Sequence, residues 1–77
     1  GEGWEWDPRE PLSSNILAAG DYLIIGSEDR SIYFLLKETG ETVRRWETDF
    51  IPRALSFGND ILIVSDSAGD IRGYRLD

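Results

Sequence analysis

The apolar residues of this chain come in short runs broken by small and polar turns, and no segment keeps a sustained 3.6-residue apolar period. Leu23-Ile24-Ile25 is a β-branched run, followed by small or polar residues over Gly26–Ser31. Ile32–Leu36 is a second apolar run with two aromatics, and Lys37–Gly40 closes on a glycine that tolerates positive φ. The pattern predicts strand, turn, strand, turn. Further strands are predicted over Leu12–Ala18, with Tyr22–Ile25 buried, and over Thr42–Glu47, Ala54–Phe57, Ile61–Val64 and Ile71–Leu76. Gly20-Asp21, Thr39-Gly40-Glu41 and Gly58-Asn59-Asp60 read as turns. Pro8–Pro11 and Asp49–Arg53 read as connections, because proline lacks the ladder donor. The chain is therefore expected to be all-β.

The runs repeat. Leu23 aligns with Leu62, Ile24 with Ile63, Ile25 with Val64, Ile32 with Ile71 and Asp21 with Asp60, all at an offset of 39. A period of about 40 with about four short strands is the pattern of β-propeller blades. With strands named a to d from the centre outward, residues 12–47 give one complete blade and residues 54–76 give strands a, b and c of a second. Trp4-Glu5-Trp6 aligns with Arg44-Arg45-Trp46, so the order reads d-abcd-abc. Two blades do not close a ring, and a bare strand edge invites association. The expected remedy is oligomerisation: strand Ile71–Leu76 of one copy pairs with Gly3–Trp6 of another, through Trp4, Trp6, Ile71 and Tyr74. Rotational symmetry then predicts a homo-oligomer, a trimer for six blades or a tetramer for eight. In an excerpt of a longer protein the same edges would meet its other blades. A small closed β-barrel is the alternative fold.

Composition bears on partners. The 77 residues allow one small domain, which buries only about two-thirds of its unfolded surface. There is no Cys to staple it and no His for a usual zinc site. With 15 acids against 8 bases, the net charge of −7 repels phosphate backbones, so nucleic acid is not expected as a partner. No apolar run is long enough to predict a membrane span, and no signal peptide is visible. The chain lacks an initiator Met, which fits a processed chain or an excerpt, so the compartment stays unassigned.

IYFLLKETG, Ile32–Gly40, resembles the quinoprotein-type propeller repeat, whose strand c and following turn run roughly L-Y-A-L-D-A-x-T-G; Tyr33, Leu35, Thr39 and Gly40 are in place. That family docks a Trp between blades four residues after the Gly. Here Arg44 holds that position and Trp46 follows two residues later, while Leu36 stands where the family has Asp. LIIGSEDRSIYFLL and ILIVSDSAGDIRGYRLD are similar to the b–c hairpin of WD repeats, and IPRALSF to their strand a. The Trp-Asp dipeptide is replaced by Leu35-Leu36 and Tyr74-Arg75, and without His the family's hydrogen-bonded tetrad is not expected. The resemblance implies a propeller blade pair. It implies no quinone site, because no cofactor residue of those enzymes matches a position here.

Catalytic chemistry finds little support. A Ser relay has no His base, and the one lysine, Lys37, lies beside a turn. Nothing in the spacing of Glu28-Asp29, Asn59-Asp60 and Asp66 with Asp70 distinguishes a general acid and base from turn acids capping backbone donors. Asp66–Asp70 lacks the alternating oxygen ligands and distal Glu of a known calcium loop. Arg44-Arg45 reads as solvated or ion-paired surface before it reads as an anion site. Trp4 and Trp6 share one face of a strand and are expected to cover a sheet; the alternative is a sugar-stacking platform. The function expected is a self-assembling propeller scaffold or binding module with no catalytic activity and no cofactor. Its ring face would offer repeated contacts to a protein or small molecule. A quinoprotein-like cofactor- or metal-binding enzyme fragment and a carbohydrate-binding propeller are the alternatives.

Overall fold

A computed structural model describes residues 3–76 of the chain. Seven strands follow one another: β1 (Leu12–Ala19), β2 (Tyr22–Ser27), β3 (Ser31–Leu36), β4 (Thr42–Glu47), β5 (Pro52–Gly58), β6 (Ile61–Asp66) and β7 (Ile71–Arg75). They form a four-stranded sheet in the order β1-β2-β3-β4 and a three-stranded sheet in the order β5-β6-β7. Every pairing is antiparallel, so each sheet is a simple meander. The two sheets are the two blades, and all seven predicted strands are present.

The repeat extends to the backbone. The amide of Lys37 donates to the carbonyl of Asp21, and that of Leu76 to the carbonyl of Asp60. These are the same bond 39 positions apart. The tight turns match only at their first residue: Gly20 (φ 60°) corresponds to Asn59 (φ 52°), but Asp60 (φ 64°) is also left-handed whereas Asp21 is not.

Sequence and structure differ at three places. Pro52 does not lie in a connection; it is the buried first residue of β5. A proline is tolerated there because a first residue need not donate to the ladder. Its ring closes on Gly26, where an added Cβ would come within 2.7 Å of Pro52 Cγ and 2.8 Å of Ser14 Oγ. That close approach is why a glycine stands inside β2. Tyr22, expected to be buried, is 42% exposed at the end of β2. Trp4-Glu5-Trp6, aligned with a d strand, forms no strand within the single chain.

The core lies between the blades. Ala19, Ile24, Ile32 and Phe34 of the first sheet meet Leu55, Leu62 and Val64 of the second, with Leu17, Trp46, Phe50, Phe57, Tyr74 and Leu76 around them. Trp46 does dock between blades, although it lies two residues later than in the quinoprotein-type repeat. Its ring packs edge-to-face with Phe34 at 4.9 Å and tilted against Tyr74 at 5.3 Å. Nearer the inner strands, a bulge between Leu12 and Ile16 aims polar side chains across the gap. The Asn15 amide donates to the Leu55 carbonyl (3.0 Å) and its oxygen accepts from the Leu55 amide (2.8 Å). The Ser13 hydroxyl donates to the Pro52 carbonyl.

Candidate interaction surfaces

Side chains alternate across a strand, so each blade has two faces. One face of each is consumed by the core between them; the other two look outward. On blade two the outward face carries Ile63, 38% exposed, and Ile71, 72% exposed. Their repeat partners on blade one are Ile24 and Ile32, at 1% and 0%. On blade one the outward face carries Ile16, 56% exposed, whose partner on blade two is Leu55 at 5%. Each open face thus repeats one half of the interface that the chain already buries internally.

The N-terminal segment lies over the outer part of blade one's open face. Trp6 packs on the cluster of Ile25, Tyr33 and Leu35, edge-to-face with Tyr33 at 5.1 Å. The Trp4 indole donates to the Lys37 carbonyl at 2.7 Å and lies against Gly40, where a Cβ would collide with the ring. Gly40, at φ 77°, therefore serves both the turn and the indole. Trp6 thus covers part of the sheet face and Trp4 the β3–β4 turn, although residues 4–6 are not the strand that the period-two reading assumes.

Of the residues expected to join copies, Trp4 and Trp6 sit together on blade one, while Ile71 and Tyr74 lie on β7 of the other sheet. Ile71 points outward, and Tyr74 points inward onto Trp46. β7 pairs with β6 along one edge, and no other described strand pairs with it.

Two carboxylates hold the b–c turns, and these clusters were not evident from the spacing of the acids alone. In blade one, Asp29 accepts from the Tyr33 hydroxyl and lies 3.8 Å from Arg45, while Arg45 also donates to Ser31 Oγ at 3.0 Å and pairs with Glu47 at 3.3 Å. Burial pushes the Asp29 carboxyl up, but Tyr33, the Ser27 and Ser31 hydroxyls and Arg45 outweigh it and hold it below the usual range. Burial raises the Tyr33 hydroxyl, and its bond to Asp29 adds to this. In blade two, Asp66 is buried and ion-paired with Arg72, and it accepts from the amides of Ala68 (2.9 Å) and Asp70 (3.0 Å). The hydrogen bond from Arg72 is the main cause that holds the Asp66 carboxyl below its ordinary range. Arg72 is raised in turn by Asp66, and it stacks over Phe50 at 4.0 Å. Asp66–Asp70 is a turn built on one carboxylate. Among the described residues no group of three or more metal-binding side chains converges.

A cleft of about 660 Å³ opens between the blades at the end that carries the Gly20-Asp21 turn and Asp60. Phe34, Trp46 and Phe57 line it with Arg44 and Arg75, so it offers an aromatic floor with charges of both signs. Arg44 lies 6.0 Å from the Trp46 ring centroid.

No family model matches the chain, and no curated protein sequence matches it. Solved structures do. The chain superposes on BamB from Moraxella catarrhalis with a TM-score of 0.81 and 20% identity, over 95% of this chain and 24% of that one. It superposes on the computationally designed Ika4 protein with a TM-score of 0.69 and 16% identity, over 86% of this chain and 41% of that one. The chain therefore spans about a quarter to two-fifths of the length of these neighbours, both of which are β-propeller proteins. At these identities the likeness is one of fold, and it establishes the chain as a pair of β-propeller blades.

Proposed function

We propose that this chain is a self-assembling β-propeller module: a scaffold or binding platform, without catalytic activity of its own, that is completed by further copies of itself. One observation carries the reading. Ile63 and Ile71 are exposed on one open face and Ile16 on the other, where their repeat partners Ile24, Ile32 and Leu55 form the buried core. The outward face of blade two is thus built to dock on the outward face of blade one of a second copy. Such a contact is head-to-tail, and it closes into a ring when the blade-to-blade rotation divides a full turn. A repeated ring face, rather than a single pocket, is what would engage a protein or small molecule.

The absolute mass of the chain in solution, by light scattering after size exclusion, tests this. Several copies per particle are expected, and the double change Ile63→Lys and Ile71→Lys should return a folded single chain with an intact far-ultraviolet β spectrum. A compact wild-type monomer at every concentration overturns self-assembly and leaves the open faces to blades of a longer chain.

A further inference from the structure

Resting on that reading, we propose that the ring closes with four copies and eight blades, and that Gly3–Asp7 of each copy becomes the outer strand of its neighbour's second blade without leaving its own first blade. Two independent features carry this.

The first is placement. Trp46, from the outer strand of blade one, docks on Tyr74 of blade two. Trp6 docks on the cluster of Tyr33 and Leu35 of blade one, and Leu35 is the repeat partner of Tyr74. The segment carrying Trp6 thus already stands, relative to blade one, where the outer strand of a preceding blade belongs. It lacks only a ladder partner, and β7 has an edge with none among the described residues. A neighbour's second blade, sliding over Ile16, would bring that edge alongside residues 3–7. The strand is ordered beforehand, so closure costs less conformational entropy than an exchange of arms.

The second feature is length. The superposition covers 95% of this chain and so takes in both blades at once. Two blades make up 24% of that chain, which leaves room for about eight repeats of this length. Eight blades turn by about 45° each, against about 60° for six. Four two-blade copies complete that turn.

Native mass spectrometry and hydrogen exchange on the intact chain test both parts. Four copies per particle are expected, with exchange at the amides of residues 3–7 slowed at least about tenfold relative to the Ile63→Lys, Ile71→Lys single chain. Three copies, or an open ladder of sizes, overturn the ring of four while leaving self-assembly standing. Four copies with unprotected amides in residues 3–7 overturn the strand contribution. A monomer overturns self-assembly itself, and this inference with it.

Discussion

The two blades share a backbone plan and differ in what surrounds it. Blade one has four strands, a core on one face and tryptophans over the other. Blade two has three strands and one bare face. The same apolar positions are filled in both, so Ile32 at 0% exposure and Ile71 at 72% are one design in two settings. A sequence that kept Ile71 apolar while leaving it in water would invite aggregation. The difference teaches that blade two turns outward, among the described residues, the apolar positions that blade one buries.

The largest effect expected separates these settings. Ile24→Ala removes a fully buried side chain from the core between blades and should cost about 2–5 kcal/mol, whatever the protein concentration. Ile63→Ala at the equivalent position should cost little in a chain held as a monomer, and its penalty should appear only as assembly proceeds. Denaturant melts at two protein concentrations read both. Equal, concentration-independent losses would erase the distinction between the faces.

Next comes the clamp of Asn15. Its amide pairs with both backbone groups of Leu55 and ties the inner strands β1 and β5 together. Asn15→Ala should cost about 1–2 kcal/mol. At the repeat position blade two has Ala54, which supplies no such clamp to the next blade. In the proposed assembly, junctions between copies should therefore open before the junction within a chain. Limited proteolysis during dilution, with cleavage appearing first in residues 3–11, checks that order.

Acid should distinguish the polar clusters. Asp29 and Asp66 both titrate below their ordinary range when folded. A depressed carboxylate contributes stability that is complete above its unfolded value, about 3.9, and is lost as pH falls through its folded value. The thermal midpoint should therefore hold above about pH 5 and drop below pH 4. Asp66→Asn should flatten the part of that loss belonging to blade two and leave the part due to Asp29. A midpoint indifferent to pH over that range would show that neither carboxylate is coupled to folding.

How much of this is legible in the sequence follows from which interactions are local. The β-branched runs, the turns and the offset from Leu23 to Leu62 are local or periodic, and they yielded seven strands and two blades. Pro52 misled because its strand role depends on a glycine 26 positions earlier, at Gly26, whose missing side chain makes room for it. The docking of Trp46 was hidden because its spacing departs from the family pattern, and only the register of β4 on β3, shifted between Phe34 and Leu35, brings the ring beneath Tyr74. The ion pair of Asp66 with Arg72 and the cluster of Asp29, Tyr33 and Arg45 are brought together by hairpin register, which spacing alone does not fix.

The smallest expected effect compares the b–c turns themselves. Arg30 adopts φ 67°, and its repeat partner Gly69 adopts φ 93°. A left-handed backbone costs a residue with a Cβ roughly 1–2 kcal/mol, so blade two holds the relaxed version of this turn and blade one the strained one. Blade one tolerates it because the Thr48 amide and hydroxyl both donate to the Arg30 carbonyl, at 2.8 and 2.7 Å. Arg30→Gly keeps that carbonyl and removes the strain, but frees the unfolded chain by about 0.5–1 kcal/mol. The net gain should be a few tenths of a kcal/mol to about 1 kcal/mol. Gly69→Arg should lose more than Arg30→Gly gains, because no threonine braces that turn at its carbonyl among the described residues. Paired thermal melts of the two variants measure the difference, and a loss of stability in Arg30→Gly would show that the arginine side chain contributes more than its backbone costs.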